Sequence, residues 1–358
     1  MGHPVAAGLM RLGPRAGTLL VALLGVAVFA WLGLPLPFLF GPMAALLIAA
    51  LWRMPLKGMA PVSEGARAIL GVAIGASITP AMVTQLPAMA LTVALIPVFI
   101  LLTGLMGVPY FRRVCGFDPV TAYYCAMPGG LQDMVLFGKE AGGRTRTISL
   151  IQATRLLAFV TVAPFVLTQV YGASLYNPVG APMRSVPVQE LALMLVLGLA
   201  GWWGAKRIGM FGASILGPML LAGVASLSDL LHSRPPGEAI LFAQVFVGIG
   251  ISVHYSGVTW RELAGDILKG LGYVVLLALL SAAFITALTL LRLGDPVSIF
   301  LAYAPAGQAE MAVLAIVVGA DLGYVVAHHL VRIVLIIVGS PLVAPKKISL
   351  PETKVRAP

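Results

Sequence analysis

DPVTAYYCAMPGGLQDM (118–134) returns 177 positions later as DPVSIFLAYAPAGQAEM (295–311), and the correspondence runs without a gap from 118–164 to 295–341. Asp118-Pro119 matches Asp295-Pro296, Pro128-x-Gly130 matches Pro305-x-Gly307, Asp133-Met134 matches Glu310-Met311, Arg155 matches Arg332, and Pro164 matches Pro341. Two acids and two arginines at matched places in apolar sequence predict one central polar site built twice.

The surrounding composition sets the solvent. The chain is 59% hydrophobic and 10% charged, against about 25% charged for ordinary soluble domains, so it cannot make a water-solvated surface. It reads as an all-α multi-pass protein of a bacterial inner (plasma) membrane, with the lipid bilayer as its first partner. A net charge of +10 raises nucleic acid as a partner, but the 23 Lys and Arg residues lie mostly in short loops between apolar runs. There they act as topology signals, and no basic helix or stripe supports nucleic-acid binding. Cys115 and Cys125 have no metal or disulfide spacing and are expected as free thiols.

The stretch from Arg11 and Arg15 to Pro35 resembles a signal peptide, but it leads into Gly41-Pro42-Met43. The same order recurs before Gly217-Pro218-Met219, so it reads as the first span of a repeat unit rather than a cleaved leader. Further runs of crossing length are expected near 36–52, 66–85, 88–110 and 147–171, then 188–204, 211–228, 239–257, 268–291 and 323–344. One element in each half, 119–139 and 296–316, is interrupted at its middle and reads either as a broken span or as a hairpin that enters and leaves on one side.

Positive charge separates these options. With both interrupted elements re-entrant, each repeat has five crossings and the repeats run in opposite directions. Setting aside Arg155 and Arg332, 18 Lys and Arg residues then share one face, and only Arg184, Arg234 and Arg292 take the other. Full crossings give a weaker 14 to 7 division of the same residues, so the inverted arrangement is favoured, with both termini cytoplasmic. The expected domains are a first repeat (1–171), a linker (172–187), a second repeat (188–345) and a cytoplasmic tail (346–358).

Irregular backbone at membrane depth survives where protein or a water-filled cavity satisfies it. Tips formed by Pro128, Gly129 and Gly130 and by Pro305, Ala306 and Gly307 are therefore expected to meet, each directing the positive start of its second half-helix into the site, where an anion is favoured. Asp133 and Glu310 either neutralise their own helix starts or bind a coupling proton or sodium ion. Arg155 and Arg332 sit near midplane, where a lone charge costs about 2.5–3.5 kcal/mol on insertion scales. They either crosslink to Asp133 and Glu310 or receive an oxyanion in their forked guanidinium groups. Gln132, Gln152, Gln308, Ser77, Ser252 and His329 complete the candidate set, with Gln244 and His254 as weaker members. Packing between helices is the alternative role for all of these. His328 and His329 diverge by about 100° on a helix and cannot chelate one ion tightly.

Through its Gly-Pro-Met pairs, Ala126-Met127-Pro128-Gly129-Gly130 and Ala304-Pro305-Ala306-Gly307-Gln308-Ala309-Glu310-Met311, the chain resembles the bacterial AbrB/AmoA-like membrane family over nearly its whole length. The resemblance implies a tandem duplication carrying labels such as ammonia monooxygenase or regulator of gene expression. Nothing in it resembles the small β-rich DNA-binding fold that shares the name. Oxygenase chemistry needs convergent copper or iron ligands, and His254, His328 and His329 lack ligand spacing, so neither enzyme activity nor a metal or other cofactor is expected. At fold level, inverted five-span repeats with hairpins are similar to elevator-type transporters. The expectation is a secondary transporter for a small anionic or zwitterionic metabolite, assembled as a homo-oligomer and by analogy a dimer. The alternative is a membrane sensor that affects gene expression without transport.

Overall fold

The computed structural model describes residues 13–34, 36–175, 178–210 and 212–345, and all regular structure among them is helical. The proposed tail, Arg11 and Pro35 lie outside the described residues. The first half contains α1 (Pro14–Trp31), α2 (Pro37–Leu51), α3 (Ala60–Gly75), α4 (Pro80–Ala94), α5 (Ile96–Pro109), α6 (Pro119–Ala126), α7 (Leu131–Glu140) and α8 (Thr145–Gln169). The second contains α9 (Val188–Arg207), α10 (Ala213–Leu227), α11 (Gly237–Ser252), α12 (Leu268–Leu290), α13 (Pro296–Tyr303), α14 (Gln308–Val318) and α15 (Leu322–Val343).

Proline sets many of these starts. Pro14, Pro37, Pro119 and Pro296 each occupy a first-turn position, where the missing N–H has no helical partner to lose. The same rule corrects one expectation. The run 66–85 is two elements, because α3 starts at Ala60 and ends at Gly75, and Pro80 opens α4. A residue before proline is disfavoured in the helical region, so Pro80 suits a new helix start after the non-helical stretch 76–79.

Among the described residues, seven helical stretches are long and apolar enough to cross a bilayer. They make a multi-pass membrane protein by length and composition. Helices α2 and α10 are apolar but have 15 residues each, about 22 Å at 1.5 Å per residue against a hydrocarbon core of about 30 Å. With α3, they lie among other helices: α2 packs on α1 and α11, and α10 on α9 and α3.

These contacts require glycine. Gly25 and Gly41 meet backbone to backbone between α1 and α2, and Gly201 meets Gly217 in the same way between α9 and α10. Gly71 and Gly75 of α3 lie against the α10 backbone, while Gly248 of α11 lies against Leu39 of α2. A Cβ at any of these positions would strike a neighbouring main chain, so the small residues set the helix separation.

Both interrupted elements fold back on themselves. Asp118 caps α6 by accepting from Thr121 N–H at 2.9 Å, and the Thr121 hydroxyl accepts from Arg144 N–H at 2.8 Å, just before α8. The second half repeats this wiring: Asp295 accepts from Ser298 N–H at 2.8 Å, and the Ser298 hydroxyl accepts from Asp321 N–H at 3.1 Å before α15. Each helix–break–helix unit therefore begins and ends at nearly the same place. Cys115 and Cys125 are buried free thiols.

Candidate functional site

The breaks in the two units expose carbonyl groups that no helical N–H can reach. In the first, Arg155 donates from Nη1 to the Met127 carbonyl at 3.0 Å and from Nη2 to Gly129 at 2.7 Å. In the second, Arg332 donates to the carbonyls of Ala304 and Ala306, both at 2.9 Å. Gln152 donates to the Tyr124 carbonyl at 2.6 Å, and its counterpart His329 places Nε2 2.9 Å from Leu301 O. His329 Nδ1 accepts from Arg332 Nη2 at 2.7 Å, which assigns a neutral ring with its proton on Nε2. One hydrogen-bonding scheme is thus written twice, with glutamine replaced by histidine.

This corrects the expectation of arginine–acid crosslinks. Neither arginine forms an ion pair with Asp133 or Glu310. The carbonyl end of a half-helix attracts a cation, and the forked guanidinium spans two tip carbonyls at once.

The acids turn the other way. Asp133 and Glu310 lie in the first turns of α7 and α14, whose N-cap residues are Gly130 and Gly307. Each carboxylate curls over its own helix start and lies in contact distance of where a Cβ on that glycine would stand. Both glycines have negative φ, near −63° and −76°, so they are needed here for space rather than for a left-handed turn. Glu310 is buried, whereas Asp133 is half-buried and Gln132 is exposed. The charged neighbour common to both acids is Arg67 of α3, and its Nη1 donates to Gln132 Oε1 at 2.9 Å.

Both tips line a single cavity of about 360 Å³. Of the sequence-predicted residues, Asp133, Glu310, Gln132, Gln308, Arg332, Pro128, Gly129, Gly130, Ala306 and Gly307 face it, and so does His254. Arg155, Gln152, His329 and Pro305 are not in its wall; the first three instead hold the tip backbones. Ser77 and Ser252 also lie outside it, donating to the carbonyls of Ala73 and Met43. Gln244 is buried in α11 outside the cavity wall. His328 is held by Tyr324 O and the Thr92 hydroxyl. Among the described residues, no group of three or more His, Cys, Asp or Glu side chains is placed to hold a metal ion.

Sequence reasoning missed Glu64, Arg67, Trp202 and Lys206, all of which line the cavity. Arg67 had counted only as one of the charges on one face, at the very start of the run 66–85; because α3 begins at Ala60, it lies two turns into that helix. Duplication gave no warning, since the positions matching Glu64 and Arg67 at the local offset of 175 are Ala239 and Phe242. Glu64 and Lys206 stand 3.8 Å apart, and Lys206 is exposed.

Residues 38–346 match the family model described as "Transition state regulatory protein AbrB". The chain belongs to this AbrB family. It is similar to "Uncharacterized protein YhjN" of Bacillus subtilis (strain 168), 25% identical over 345 residues, covering 87% of this chain and 88% of that protein. It is also similar to "Putative regulator AbrB" of Escherichia coli (strain K12), 24% identical over 318 residues, covering 87% of this chain and 90% of that relative. No solved structure matches.

Proposed function

We propose that this AbrB-family chain is a secondary transporter of a small anionic or zwitterionic metabolite, built from two inverted repeats whose re-entrant hairpins (α6–α7 and α13–α14) move with α8 and α15. The observation that carries this reading is the shared cavity: two chain-distant tips, each with its own acid and a positive helix start, line one chamber. Further support comes from the packing of the helices around it. Leu39, Phe40 and Met43 of α2, Phe246 of α11 and Met311 and Leu314 of α14 belong to one buried apolar cluster. A chamber bordered by close apolar packing fits one of the two states that alternating access needs.

The orientation places both termini and the cavity mouth in the cytoplasm of a bacterial inner membrane, in line with the Lys and Arg distribution. Asp133 and Glu310 serve the coupling ion, Arg67 receives the substrate, and Arg155 and Arg332 keep the tips rigid. A homo-oligomer, most simply a dimer, supplies the fixed scaffold. No catalytic step is assigned to any residue.

The printed names of the family and of the Escherichia coli relative favour a second reading: a membrane sensor that binds a ligand and alters gene expression without moving it. Crosslinking separates the two. Tyr255, just beyond α11, donates to the Thr154 hydroxyl of α8 at 3.0 Å, outside the cavity wall. Cysteines at these two positions, in a chain with Cys115 and Cys125 replaced and joined by a short thiol reagent, should stop a transporter and leave a sensor's signalling intact. Purified protein in proteoliposomes should show uptake or efflux driven by a proton or sodium gradient across a metabolite panel. Absence of any such flux would defeat the transport reading.

A further inference from the structure

Each half-helix start in the cavity already holds a carboxylate, and it belongs to the protein. Helices α7 and α14, of 10 and 11 residues, present their positive ends there, the place where an incoming anion is favoured. Asp133 and Glu310 lie over those ends, in space kept open by Gly130 and Gly307. We propose that these two acids are built-in competitors of the substrate's carboxylate, or of an equivalent small oxyanion. The anion engages a tip only as that tip's acid takes up one proton from water and swings clear, so anion and proton bind together. This rests on the transport reading above and adds its coupling rule.

The wall supports a missing ligand. Gln308 and Arg332 are each more than nine-tenths buried, line the cavity, and leave Oε1 and Nε without partners. Buried polar atoms are ordinarily satisfied. The facing charges are Glu64 and Arg67 from α3, Lys206 from α9 and Arg332 from α15, with His254 from the turn just after α11 and Arg155 of α8 near Glu310. Arg155 and Arg332 are engaged by tip carbonyls, and Lys206 stands by Glu64. Arg67 is the cation near both acids that keeps donors beyond its bond to Gln132.

Charge balance gives the physical reason. Two carboxylates at one helix start repel, and burying an extra net charge is expensive. Protonating one acid as one anion enters leaves the net charge of the chamber unchanged.

The test uses the full chain in lipid nanodiscs, with the monoanions acetate, lactate and benzoate as probes and calorimetry in two buffers of different protonation enthalpy. The expected result is about one proton taken up per anion bound, with affinity falling about tenfold per pH unit on the alkaline side. The double variant Asp133→Asn, Glu310→Gln should bind the same anion without proton uptake and without pH dependence. Wild-type binding with no proton uptake overturns the competitor proposal and leaves anion transport standing; this measurement needs no variant to fold. No binding of any probe by either protein overturns the anion reading, and the competitor proposal with it.

Discussion

Arg332 is the residue whose charge was easiest to see and whose partner was hardest to infer. Its guanidinium spans Ala304 O and Ala306 O, so Arg332→Ala should leave two buried carbonyls unsatisfied, at about 1–3 kcal/mol for each group. Arg332→Lys keeps the charge but loses the fork, and should fall between wild type and alanine. Thermal unfolding in detergent measures the series, and an alanine variant as stable as wild type would refute the tip-holding role. His329→Gln makes the second repeat copy the first, where Gln152 performs this task. It should therefore cost less than about 1 kcal/mol. In the short helix Trp260–Glu262, Glu262 is held below the usual carboxylate range, first by Thr259 N–H and also by the Arg146 guanidinium at 3.0 Å. A depressed folded value gives stability that is present above the unfolded carboxylate pKa and is lost as pH falls through the folded one. Glu262→Gln should flatten the acid side of the stability profile, by under about 1 kcal/mol for so accessible a pair.

Among elements, the deciding features are close approaches and breaks. At Gly217 a Cβ would meet the backbone of Gly201, whereas at Gly204, three residues further along the same helix, nothing lies within 4 Å. Gly217→Ala should therefore push α9 from α10 and destabilise by about 1–3 kcal/mol, while Gly204→Ala should be neutral or slightly stabilising. Comparing the two unfolding midpoints in one detergent checks this. The breaks themselves were legible: Pro128-Gly129-Gly130 and Pro305-Ala306-Gly307 fall where α6 stops before α7 and α13 before α14. The split of 66–85 was less so, because hydropathy runs through Gly75 to Pro80 and only the proline rule divides it. Lengths of α2 and α10 were also obscured, since an apolar run does not report where the helix within it ends.

At the scale of the whole molecule, the inverted arrangement proposed above predicts sidedness. Cysteines replacing Arg113 and Lys139 should label from the cytoplasmic side, and those replacing Arg234 and Arg292 from the other; labelling of 113 and 139 from opposite sides would remove the hairpin topology. By itself, the sequence determined a helical membrane chain with a duplicated polar centre, because composition fixes the solvent and charged residues repeated at one offset require repeated surroundings. It also named both acids and both tips. Only the tertiary structure decided what those groups touch. The choice between an arginine–acid pair and an arginine–carbonyl clamp depends on which atoms a fold-back brings within hydrogen-bond reach. Arg67, outside the ungapped repeat and 66 positions from Asp133, becomes the acids' neighbour only when α3 packs beside the two tips.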